Sequence, residues 1–64
     1  MCLAKVYMRT GAAEELVMEN VTSVIVDDGR VLLKSILMEA EELQGRIASV
    51  DFSEARLVLE TAGD

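Results

Sequence analysis

The sequence has no histidine, no proline and no tryptophan, and its single cysteine is Cys2. Without histidine the commonest general base is missing, and a Cys–His nucleophile pair cannot form. An enzyme is therefore not expected. One cysteine cannot close an internal disulfide, and an unpaired thiol fits the reducing cytoplasm. Only Tyr7 and Phe52 are aromatic, too few for a base-stacking platform. Six basic residues against twelve acidic ones give a net charge of −6. Nucleic-acid affinity comes largely from lysine and arginine neutralising phosphates, so no nucleic-acid partner is expected. No apolar run approaches the ~18 residues of a membrane span, and the start lacks the pattern of a signal peptide. Gly11, Gly29, Gly45 and Gly63 are scattered, so no phosphate-cradling loop is present. The acidic residues gather at turns without the alternate-position spacing of a calcium loop.

What the chain has in excess is aliphatic surface. Hydrophobic residues make up 52% of its 64 positions. A chain of this size forms one domain, residues 1–64, and buries only about 60% of the surface its unfolded form exposes. Small domains usually add a disulfide, a metal or a partner subunit. With the disulfide excluded, metal and oligomerisation remain. The surplus apolar surface points to a homodimer, with the Cys2–Val6 end of the first strand and the outward side of "VLLKSIL" as candidate interface.

Turn signals divide the chain at "RTGAAEE", "MEN", "DDGR", "LMEAEE" and "DFSEA". Strands at such spacing predict an all-β domain. Cys2, Ala4, Val6 and Met8 alternate with Leu3, Lys5, Tyr7 and Arg9, which is the period of a strand. In "ELVMEN", Leu16 and Met18 share a face. "SVIV" and "VLL" flank Asp27–Asp28–Gly29, a tight-turn sequence. "LQGRIASVD" continues as a strand with Gly45 as a bulge or kink, and "ARLVLE" closes the chain. Leu33, Ile36, Leu37, Ala40 and Leu43 also fit a helical stripe. The strand-like sequences on both sides favour a hairpin instead, turning at Glu39–Glu42. Five or six short antiparallel strands need closure against edge pairing, so the expected fold is a small antiparallel barrel, SH3-like or OB-like.

Two readings of Cys2 follow from its residue type and position. Cysteine serves as a small buried hydrophobe, and Cys2 has the core parity of the first strand. The first residues of a strand are also where a side-chain donor lies beside the α-amino group and free backbone amides. A soft-metal site needs about four donors. One chain offers one sulfur and no imidazole, and a two-fold dimer supplies a second Cys2. Two thiolates with two nitrogens suit a square-planar ion, Ni(II) or Cu(II) rather than tetrahedral zinc, and nickel fits better because thiolates tend to reduce Cu(II) to Cu(I).

"MCLAKVYM", "EELVMENV", "GRVLL" and "GRIASVDFSEARLVLE", in that order along the whole chain, resemble the CooT family of nickel-binding proteins. The resemblance implies a small cytoplasmic accessory protein (a metallochaperone) associated with nickel insertion into carbon monoxide dehydrogenase. It implies a homodimeric β-barrel that binds Ni(II) at its interface through Cys2. The HypC-type chaperones of hydrogenase maturation also start Met-Cys on a small β-barrel. They typically have a proline soon after the cysteine and a later histidine, and this chain has neither. The remaining alternative is an interaction or RNA-binding β-barrel with a buried, structural Cys2. Fold analogy alone is a weak guide to function, and the acidic charge opposes RNA.

Overall fold

The computed structural model describes residues 3–61. They form six strands and, among the described residues, no helix: β1 (Ala4–Thr10), β2 (Ala13–Asp27), β3 (Arg30–Ser35), β4 (Ala40–Gln44), β5 (Arg46–Asp51) and β6 (Arg56–Glu60). The expected all-β architecture is the one observed. The sheet order is β4-β3-β2-β1-β6-β5. Every neighbouring pair is antiparallel except β1 and β6, which run parallel, so the sheet is mixed and not the wholly antiparallel one expected. It is also not closed by a ladder. β4 and β5 stand at its two ends, and Gly45 alone separates them in the chain.

Gly45 explains how those ends meet. Its N–H donates to the Gly29 carbonyl at 2.9 Å, and a Cβ built on it would lie 2.5 Å from the Glu60 carbonyl oxygen. The chain thus passes between the start of β3 and the end of β6, at a spot where only glycine fits. The kink expected there is real, and it lets one extended stretch pair first with β3 and then with β6.

The core follows the alternation of the strands. Val6, Val21, Val31, Leu33, Leu57 and Leu59 are buried together, with Ala4, Met8, Val17, Met18, Val24 and Leu43 packed around them. The inner parity read for β1 is therefore met at Ala4, Val6 and Met8. Its extension to Cys2 lies outside the described residues. β6 buries Leu57, Val58 and Leu59 in succession. Successive strand residues face opposite sides, so β6 is covered on both.

Three local expectations are corrected. "MEN" is not a turn between strands but a bend inside the 15-residue β2, where Asn20 takes a φ of 59°. Asparagine tolerates that left-handed region better than most residues. The β3–β4 turn occupies Ile36–Glu39, not Glu39–Glu42; Glu41 and Glu42 lie in β4 and pair with Leu33 and Leu32. Leu16 is exposed, while Val17 and Met18 both pack on the core. A register shift in the β1–β2 ladder interrupts the simple alternation there. The Asp28–Gly29 turn is as expected, with φ of 52° and 80°, the two positive values that a tight hairpin needs.

Candidate functional site

The described chain begins beside the middle of β2. Ala4 pairs with Val21, and Val21 pairs with Ser35 at the end of β3. The Lys5 N–H donates to the Ala55 carbonyl at 2.9 Å, which ties the start of β1 to the β5–β6 turn. Ala4, Val21, Val24, Val50, Phe52 and Leu57 line an apolar cleft of about 200 Å³. Phe52 stands at its rim, 87% exposed. Asp51 holds the turn that carries it: Oδ1 accepts from Ser53 N–H (3.0 Å), Ser53 O–H (2.7 Å) and Glu54 N–H (3.1 Å). These bonds favour the charged carboxylate, led by the Ser53 hydroxyl, and lower the Asp51 pKa below 3.8. Arg56, on the cleft wall, stacks 4.6 Å from the Tyr7 ring centroid and pairs with Glu14.

A second apolar feature stands on the other side of Val21. The β3–β4 turn exposes Ile36, Leu37 and Met38, the last two at 71% and 79%. Ser35, buried at its base, organises this tip. Its Oγ accepts from Leu37 N–H and Glu39 N–H, both at 3.2 Å. Ser35 N–H donates to the Glu39 carbonyl, Met38 N–H to the Ser35 carbonyl, and Ile36 N–H to the Asn20 carbonyl. Met38 has a φ of 68°. An open cleft of about 420 Å³ lies alongside, lined by Leu16, Met18, Glu19, Glu39 and Glu41 among others.

The opposite end is polar. Glu60 accepts from Arg9 at 2.9 Å and from Arg46 at 3.1 Å, joining β1, β5 and β6. The hydrogen bonds from Arg46 and then Arg9 lower the Glu60 pKa below 4.5. Sequence reasoning singled out none of Ser35, Phe52 or Glu60 as functional. A signal existed for Ser35: it continues the inward parity of Val31 and Leu33, and a polar residue on a buried parity must bond something.

Cys2, the one metal ligand expected from the sequence, lies outside the described residues. Among the described residues no group of three or more Cys, Asp or Glu side chains is arranged to hold a metal, and no helix is long and apolar enough to cross a membrane.

Comparison with known proteins gives one family. The model of CooT, the CO dehydrogenase accessory protein, matches residues 1–60. No curated protein matches the chain. Among solved structures, the chain is similar to a protein assigned as CooT from Carboxydothermus hydrogenoformans. The TM-score is 0.89 and the identity 26%, over 97% of this chain and all of the other. The match runs through all six strands, from the Met-Cys start to the end of β6, and on it this chain belongs to the CooT family of CO dehydrogenase accessory proteins.

Proposed function

We propose that this protein carries Ni(II) to a carbon monoxide dehydrogenase as a cytoplasmic metallochaperone, holding the ion between two copies of the chain through their Cys2 thiolates. The observation that carries the reading is the family match over residues 1–60, which makes the chain an accessory protein and not a catalyst. The donor chemistry supports the rest. With no histidine and one cysteine per chain, a thiolate-rich site needs a second copy. Nitrogens from the chain start complete a square-planar set that suits nickel.

The dimer has a candidate surface. An isologous interface brings the same patch together twice, so the patch must complement itself. The chain-start end has that character. Phe52 projects beside an apolar cleft, and both charge signs, Asp51 and Arg56, line it. Ala4 lies in the same cleft wall, two residues after Cys2. A dimer through this patch brings the two chain starts toward the axis, as a shared site requires.

The test is a titration of wild type and Cys2→Ala with nickel and with zinc, followed by absorbance and heat. Wild type should bind one Ni(II) per dimer with a thiolate charge-transfer band. Thiols must lose protons to bind, so affinity should fall at acidic pH. Unchanged nickel binding by Cys2→Ala would return Cys2 to a structural role. A strong zinc preference without a square-planar spectrum would remove the nickel assignment. Recovery of immature hydrogenase subunits instead of carbon monoxide dehydrogenase from cells would favour the HypC-type reading.

A further inference from the structure

The tip at Ile36–Met38 is an apolar surface that the fold displays at a cost. Leu37 and Met38 are mostly in solvent. Met38 is held in the left-handed region, a conformation that costs a non-glycine residue about 1–3 kcal/mol and that clusters at functional sites. Nor is the tip a loose loop. The N–H groups of Ile36, Leu37, Met38 and Glu39 are all hydrogen-bonded, two of them to the buried Ser35 hydroxyl. A pre-organised apolar projection loses little entropy on docking.

The surrounding charge selects the occupant. Glu19, Glu39 and Glu41 line the cleft beside the tip. Lys34 is the nearby cation, on the opposite parity of β3 from Leu33 and Ser35. If the tip met its own copy across a two-fold axis, these carboxylates would face their equivalents, and like charges across an interface are disfavoured. A second copy is therefore a poor occupant here, in contrast to the mixed-charge patch around Phe52. A surface with an apolar recess rimmed by lysine or arginine fits instead.

Position adds the functional link. Ser35, at the foot of the tip, and Ala4, at the described start of the chain, pair with the same residue, Val21. A partner seated on the tip would sit near the chain start. Resting on the nickel-carrier reading above, we infer that the Ile36–Met38 tip is the docking surface for the receiving enzyme. It inserts Leu37 and Met38 into an apolar recess of the apoprotein, with Glu19, Glu39 and Glu41 opposite basic residues.

The test measures binding of the full-length dimer to metal-free carbon monoxide dehydrogenase apoprotein from the same organism. The variants are Leu37→Ser/Met38→Ser and Glu39→Gln/Glu41→Gln. Sedimentation and nickel titration of each variant are recorded alongside. The first pair should weaken binding by roughly 30-fold or more, as expected for two central apolar anchors. The second should weaken it by about tenfold at low salt and flatten its salt dependence. Dimer mass and nickel stoichiometry should not change. Wild-type binding matched by Leu37→Ser/Met38→Ser would overturn the docking surface while leaving the carrier reading intact. Loss of the dimer in that variant would make the second copy the occupant and also overturn it. Failure of wild type to bind the apoprotein would remove the receiving enzyme from both.

Discussion

Two apolar surfaces lie on either side of Val21, and they differ in what surrounds them. Around Phe52 the apolar cleft carries an acid and a base, Asp51 and Arg56. Around Leu37 and Met38 the neighbouring cleft carries three acids, Glu19, Glu39 and Glu41. Exposed apolar area alone does not say what will cover it. The charge at the rim separates a patch with both signs, which can complement its own copy, from one whose like charges disfavour self-contact. The two are also held differently. A carboxylate, Asp51, staples the turn of Phe52 from outside, whereas a buried hydroxyl, Ser35, staples the tip from beneath.

The comparison breaks most severely at the core beneath both surfaces. Leu33 is fully buried and lies two residues before Ser35. Leu33→Ala is expected to cost about 2–5 kcal/mol, read by thermal or urea unfolding. Both surfaces should lose function together, because they share one framework. Phe52→Ala should act on one surface only. It is expected to weaken the proposed dimer by about 2 kcal/mol, roughly 30-fold, in sedimentation at varied concentration, with the fold unchanged. A dimer indifferent to that truncation would move the self-association surface elsewhere.

Ser35→Ala sharpens the other side. It removes the acceptor for Leu37 N–H and Glu39 N–H and is expected to cost about 1–2 kcal/mol. Hydrogen exchange should rise at Leu37 and Glu39, and binding of the apoprotein should fall while the dimer persists. The smallest effect is acid sensitivity. The folded-state pKa values of Glu60 and Asp51 are lowered, so their stabilisation is present above the ordinary carboxylate values. It is lost as pH falls through the lowered ones. Asp51 is exposed and Glu60 half-buried at the surface, so the loss is modest. The Glu60→Gln variant should show a shallower fall in stability below pH 4.5 than wild type. An identical fall in both would mean that other carboxylates carry the acid response.

Much of the strand map was legible because strand signals are local. The alternation of Ala4, Val6 and Met8 and the turn at Asp28–Gly29 depend on residues a few positions apart. The sequence around Asn20 predicts a turn where the structure has a bend, because a bulge and a turn use the same residue types. The acidic run of Glu39, Glu41 and Glu42 looks like loop and predicts the β3–β4 turn later than it falls, since Glu41 and Glu42 pair in β4. Ser35 sets its true position, and its two N–H bonds exist only once β3 and β4 pair. The proposed nickel site was legible only as donor chemistry at Cys2, which lies outside the described residues.

The sequence by itself determined an all-β chain, its inner parity, the glycine at position 45 and a set of soft-metal donors limited to one cysteine with no histidine. These follow from side-chain period, turn chemistry and residue count, none of which depends on distant contacts. Tertiary structure alone decided that β1 and β6 run parallel, since alternation is the same in either direction. It decided too that Gly45 joins the two ends of the sheet, against the Glu60 carbonyl fifteen residues away. And it set Ala4 and Ser35 on either side of Val21. Residues 4, 21 and 35 are neighbours only because β2 lies between β1 and β3, and that order is a property of the curled sheet as a whole.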